Sequence, residues 1–89
     1  MKNKNLLITG AATRVGKAMA LHFAERGWNI ALHYFRSSSK AKELKKIIEQ
    51  NWVKVALIKA DLKNPKQVEK IVPLAKKKLG AIDCLINNA

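Results

Sequence analysis

The chain has 89 residues, 48% of them hydrophobic, with 18 Lys and Arg against 6 Asp and Glu and a net charge of +12. That length holds at most one small domain with a modest core, and the charge favours anionic partners such as nucleotides, nucleic acid or an acidic membrane face. The single cysteine, Cys84, excludes a disulfide framework and a Cys-rich metal site and suits a reduced, cytoplasmic setting.

Met1 to Asn5 is polar, and Leu6-Leu7-Ile8 is too short for the apolar region of a signal peptide. No stretch approaches the ~20 apolar residues of a membrane span. Leu6-Leu7-Ile8 reads as a buried strand ending in Thr9-Gly10. Val15, Ala18, Met19, His22 and Phe23 then recur at helical spacing, and Gly27 is placed to close that helix. Asn29–Tyr34 is a second strand. Ser37-Ser38-Ser39 offers N-cap hydroxyls to a helix carrying Ala41, Leu44, Ile47 and Ile48, with Asn51 at its end. Val53–Ile58 is a third strand, rich in β-branched residues. Asn64-Pro65 pairs an N-cap with proline at the first helical position; Val68, Ile71, Val72, Ala75 and Leu79 continue the period to Gly80, with an expected kink at Pro73. Ile82–Ile86 is the fourth strand. Strand–helix alternation with short connections implies right-handed crossovers and a parallel sheet. The expectation is half of a doubly wound Rossmann fold, one truncated domain over residues 1–89, with four strands in the order 3-2-1-4.

Thr9-Gly10-Ala11-Ala12-Thr13-Arg14-Val15-Gly16 lies between a predicted strand and a predicted helix. A helix N-terminus presents free N–H groups and partial positive charge to phosphate, and glycine lets the backbone approach a pyrophosphate closely. An acid at the end of the second strand would bind the ribose 2′-hydroxyl of NAD. No acid lies between Asn29 and Lys42; Arg36 and Ser37 stand there instead, about twenty residues past the glycine turn, where a guanidinium suits the 2′-phosphate of NADP(H).

Thr-Gly-x-x-x-x-x-Gly at Thr9–Gly16, Asp61-Leu62 after the third strand and Asn87-Asn88-Ala89 after the fourth resemble the short-chain dehydrogenase/reductase family along the whole chain. Arg14 in place of a middle glycine, and His33-Tyr34-Phe35-Arg36-Ser37, are similar to its pteridine reductase-like branch, in which the position of Phe35 is often a second His. The resemblance implies NADP(H) as cofactor. Gly10, Arg14 and Gly16 would line the pyrophosphate, with Thr9 and Val15 completing the turn. Arg36 and Ser37 would hold the 2′-phosphate, after His33 and Tyr34. Asp61 would accept from the adenine amino group beside Leu62. Asn88 and Ala89 would approach the ribose and the nicotinamide side.

The resemblance also implies a reductase of a carbonyl or pterin-like substrate, but these 89 residues carry no catalytic set. Tyr34 is the sole tyrosine and Ser38, not Lys, follows it by four, so the family's Tyr-x-x-x-Lys pair, in which Lys lowers the phenol pKa, is missing. The expectation is an amino-terminal cofactor-binding half, inactive alone. It would pair with a complementary carboxy-terminal half or self-associate through the open edge of the fourth strand. Two alternatives remain from sequence: a standalone NADP-binding or regulatory module, and a basic nucleic-acid binder using Lys40, Lys42, Lys45, Lys46 and Lys76-Lys77-Lys78. The second lacks a recognised motif and is poor in Arg.

Overall fold

The computed structural model describes residues 3–88. Strands β1 (Asn5–Thr9), β2 (Asn29–Tyr34), β3 (Val55–Lys59) and β4 (Cys84–Asn87) alternate with helices α1 (Arg14–Ala24), α2 (Ser38–Glu49) and α3 (Pro65–Leu79). The strands form one parallel sheet in the order β3-β2-β1-β4, as the sequence predicts. Leu6 of β1 sits level with Ile30 of β2 on one side and Cys84 of β4 on the other.

Side chains alternate across a strand, so each strand feeds two cores. Leu6, Ile8, Ile30 and Leu32 point toward α1 and α2, where they meet Ala20, Ala24, Leu44 and Ile48. Leu7, Ala31 and Ile58 point the other way, onto Ile71 and Ala75 of α3. Every residue of β1 is buried, which explains why its sequence is an apolar run rather than an alternation.

Helix α1 differs from its sequence expectation. It fully buries Gly16, Ala20 and Ala24; of the Val15, Ala18, Met19, His22 and Phe23 stripe, Met19 and Phe23 pack partly buried against the same core, and the stripe lines a shallow apolar groove together with Arg14. Small side chains let the helix lie close on the sheet, and that closeness outweighs the larger apolar residues. The helix ends as Gly27 suggests. The Trp28 N–H donates to Phe23 O at 3.1 Å and the Gly27 N–H to Ala24 O at 3.0 Å, the paired bonds of a Schellman motif, with Gly27 at φ +85°.

Helix α3 begins as predicted, its Asn64 side chain accepting from the Lys66 and Gln67 N–H groups. It runs through Pro73 without a break. Pro73 and Glu69 both face solvent, so water meets the carbonyl that proline leaves without a donor.

After α2 the chain turns through Trp52, which is 94% exposed and adopts φ +62°. The left-handed region costs a non-glycine residue about 1–2 kcal/mol, and an exposed ring returns little packing. Trp52→Gly is therefore expected to raise the melting temperature by a few degrees, because the relief exceeds the backbone entropy that glycine adds to the unfolded chain; a scanning calorimetry comparison of the two chains checks this.

The amino ends of the strands are tied by buried amides. The Asn5 N–H donates to Asp83 Oδ2 at 2.8 Å, and Asn5 Nδ2 donates to the Leu79 and Ala81 carbonyls at 3.0 and 2.8 Å. Asn29 Nδ2 donates to Asn5 Oδ1 at 2.9 Å, while Asn29 Oδ1 accepts the Lys54 N–H at 2.8 Å. This network fixes register at the end of the sheet opposite the candidate site.

Candidate functional site

In parallel sheets of this kind ligands bind beyond the carboxyl ends of the strands. There β1 runs into Gly10 at φ +63°, a conformation suited to glycine. The turn is held from three directions. The Gly10 N–H donates to His33 Nδ1 at 3.1 Å, and the Ala11 N–H to the His33 carbonyl at 3.1 Å. The Gly10 carbonyl accepts from Thr13 Oγ1 at 2.9 Å and from Asn88 Nδ2 at 3.1 Å. Thr9 Oγ1 donates to Asn87 Oδ1 at 3.0 Å and accepts the Asn88 N–H at 3.0 Å. Thus Thr9 and Asn88, predicted as ligand contacts, also join β4 to the turn.

Thr13 occupies the N-cap position of α1, yet its side chain makes no cap bond; the hydroxyl points back to Gly10 O. Helix geometry gives Arg14, Val15 and Gly16 no intrahelical acceptor for their N–H groups. No acidic residue stands in that first turn. The result is a positive helix end whose donors are not consumed by a capping side chain. Arg14 and Val15 are exposed beside it, and Gly16 is buried against the turn. A Cβ at Gly16 would overlap the Gly10 carbonyl oxygen and lie 2.8 Å from both Ala11 Cα and Asn88 Nδ2. The cradle exists only because position 16 has no side chain.

Along the rim, Tyr34 is half-buried at the end of β2 and Arg36 is exposed, its guanidinium carbon 5.2 Å from the Phe35 ring centroid. Ser37 is the N-cap residue of α2, but its hydroxyl makes no cap bond. Asp61 is half-buried: its Oδ1 accepts the Lys63 N–H at 2.9 Å, and its own N–H donates to Gln67 Oε1 at 2.7 Å. Leu62 beside it is exposed. His33 is 2% exposed and both ring nitrogens are engaged, Nε2 lying 2.9 Å from the Ala60 carbonyl oxygen. Ala89 lies outside the described residues.

Thr13, Gln67 and Ala60 also shape the site and were not singled out from sequence. Thr13 carried a signal, a hydroxyl residue just before a helix. Gln67 carried another, an amide three residues after the Asn64 cap. Ala60 acts through its backbone and carried none. Among the described residues no group of three or more His, Cys, Asp or Glu could hold a metal ion, and no helix is long and apolar enough to cross a membrane.

Residues 4–89 match the short chain dehydrogenase family. The chain belongs to that family. It is 33% identical over 87 residues to the 3-oxoacyl-[acyl-carrier-protein] reductase FabG of Staphylococcus epidermidis, which covers 98% of this chain and 36% of that protein. It is 34% identical over 87 residues to the short-chain dehydrogenase/reductase homolog YusS of Bacillus subtilis, covering 98% of this chain and 80% of that protein. Among solved structures, FolM alternative dihydrofolate reductase 1 from Brucella canis, complexed with NADP, superposes with a TM-score of 0.90 at 32% identity, covering 98% of this chain and 35% of that one. This family member thus spans about a third of the length of FabG and FolM and four-fifths of that of YusS. The Rossmann-like half-sheet and the membership in a family of oxidoreductases stand on these matches; the pteridine reductase-like branch has only the FolM likeness behind it.

Proposed function

We propose that this chain is the NADP(H)-binding amino-terminal unit of a short-chain dehydrogenase/reductase, serving reduction of a carbonyl or pterin-like substrate. The carrying observation is the uncapped start of α1: Thr13 turns its hydroxyl to Gly10 O, and Gly16 brings the helix end against the turn. A pyrophosphate fits such a cradle because its oxygens take the donors of Arg14, Val15 and Gly16. Arg36 and Ser37 stand beyond β2, where a 2′-phosphate is read, and no acid competes for that place. The Asp61 carboxylate and the Leu62 side chain supply an acceptor and an apolar face for adenine. A bound nicotinamide would carry the hydride chemistry, and these residues would bind and orient the cofactor. Without a Tyr-x-x-x-Lys pair the 89 residues bind but do not turn over. Equilibrium titration of the chain with NADPH and with NADH tests this: saturable binding with NADPH preferred supports it, and no binding of either, or a preference for NADH, overturns it.

The same reading assigns a partner to β4. The free edge of β3 is guarded by cations: Lys78 Nζ donates to Leu57 O at 3.3 Å, and Lys45 and Lys54 flank it. Such lysines prevent edge pairing. Among the described residues β4 has no neighbour on its outer side, its Cys84-Leu85-Ile86-Asn87 run is uncharged, and Leu85 is 58% exposed. A complementary carboxy-terminal half, or a second copy of the chain, would cover it. Leu85→Lys is expected to shift the isolated chain toward a 10.0 kDa monomer in sedimentation velocity; an unchanged distribution would remove β4 as the association surface.

A further inference from the structure

We propose that His33 is a positioning residue for phosphate capture. Its Nδ1 removes the Gly10 N–H from the set of donors and so fixes which backbone groups of the turn face the ligand. The inference rests on the NADP(H) reading above.

β1 and β3 flank β2, about 10 Å apart at twice the inter-strand spacing. Just past the sheet ladder each leaves one backbone group without a strand partner: the Gly10 N–H from β1 and the Ala60 carbonyl from β3. The His33 ring, carried by β2 between them, meets both, at 3.1 and 2.9 Å. A carbonyl oxygen needs an N–H, and a backbone N–H needs a lone pair. The partners therefore assign the proton to Nε2 and leave Nδ1 as acceptor in a neutral ring. At 2% exposure the ring has no nitrogen left for a cofactor, so its contribution to the site is indirect.

That contribution is directional. The first two N–H groups of the turn both go to His33, Gly10 to the ring and Ala11 to the backbone carbonyl. The Thr13 N–H returns to Gly10 O at 3.4 Å. The donors that remain are the Ala12 N–H and those of the first turn of α1. Without an acceptor at the Nδ1 position the Gly10 N–H is orphaned at the base of the turn, and the following peptide, on whose Gly10 carbonyl Thr13 and Asn88 converge, is left with the Ala11 N–H bond to the His33 backbone as its tie to β2.

Asparagine places an oxygen where Nδ1 stands but cannot reach Ala60. Glutamine places an amide N–H where Nε2 stands but offers no acceptor to Gly10. Comparing His33→Asn, His33→Gln and His33→Leu in NADPH titration, thermal melting and hydrogen–deuterium exchange of residues 9–13 separates the two bonds. The expected result is that H33N binds within about threefold of the parent chain, while H33Q and H33L bind about tenfold more weakly, with H33Q melting near the parent. Binding by H33Q at the parent's strength, or losses that merely follow melting temperature across all three, overturns the proposal. If the parent chain binds no NADPH, the NADP(H) reading fails by itself and exchange decides the clamp: protection of residues 9–13 in the parent and H33N but not in H33Q upholds it, and equal protection in all overturns it.

Discussion

Gly16→Ala should abolish measurable NADPH binding and lower stability by about 1–3 kcal/mol, the range for forcing an extra methyl into a packed site. Alanine is ordinarily the better helix residue, by about 1 kcal/mol over glycine, so the expected sign opposes propensity. The reason is the neighbours. The new Cβ would overlap Gly10 O and press on Ala11 Cα and Asn88 Nδ2. Two of these are backbone, which cannot rotate aside. Relief requires α1 to lift from the turn, which breaks the Asn88-to-Gly10 bond and carries the first-turn N–H groups away from the phosphate. Gly27→Ala is the control: nothing lies within 4 Å of its Cβ, its cost comes from φ +85° alone, and it should lower stability without changing affinity in the folded chain. Melting curves and NADPH titrations on both variants check this; parent-like affinity in Gly16→Ala would sink the cradle.

Arg36→Ala should weaken NADPH binding by about a hundredfold and NADH binding by less than threefold. A charge-assisted, forked hydrogen bond to phosphate contributes about 1.5–3 kcal/mol, and only NADPH carries the 2′-phosphate. Arg36 is held over the Phe35 ring at 5.2 Å, which limits its freedom before a ligand arrives. Arg36→Lys keeps the charge but loses the fork and the stacking, so its NADPH affinity should fall between those of the parent and the alanine variant. Paired dissociation constants for the two cofactors settle the matter; equal losses would mean that Arg36 acts on folding or on general charge.

Much of the fold was legible because its signals are local. The Leu6-Leu7-Ile8 run, the glycine turn and Asn64-Pro65 each state a strand, a turn or a helix start without help from distant residues. α1 shows where that fails. Its apolar period names a stripe of which Met19 and Phe23 pack only at the margin of the core, while the fully buried line is chosen by how closely the helix must approach the sheet, which favours Gly16, Ala20 and Ala24. Pro73 misleads for a related reason: its cost depends on which side of α3 it occupies, and that side is wet. The strand bounds shift as well, β3 starting at Val55 rather than Val53 and β4 at Cys84 rather than Ile82, because pairing register rather than composition ends a strand. In the candidate site, Gly10, Arg14 and Gly16 follow the carboxyl end of β1 and Arg36 that of β2. The bonds of His33 to Gly10 and Ala60 were not readable, since they join groups 23 and 27 residues apart through backbone atoms that every residue type shares.

The contrast between the two sheet edges also bears on stoichiometry. Were two copies to meet at β4, a two-fold axis would set those strands antiparallel and use up both bare edges at once, since an isologous contact is self-complementary. The lysine-guarded β3 edges would then form both outer margins of an eight-stranded sheet. Continuation into a filament needs a head-to-tail contact, β4 of one copy on β3 of the next, and Lys45, Lys54 and Lys78 stand against it. Association of this chain would therefore close at two copies instead of propagating.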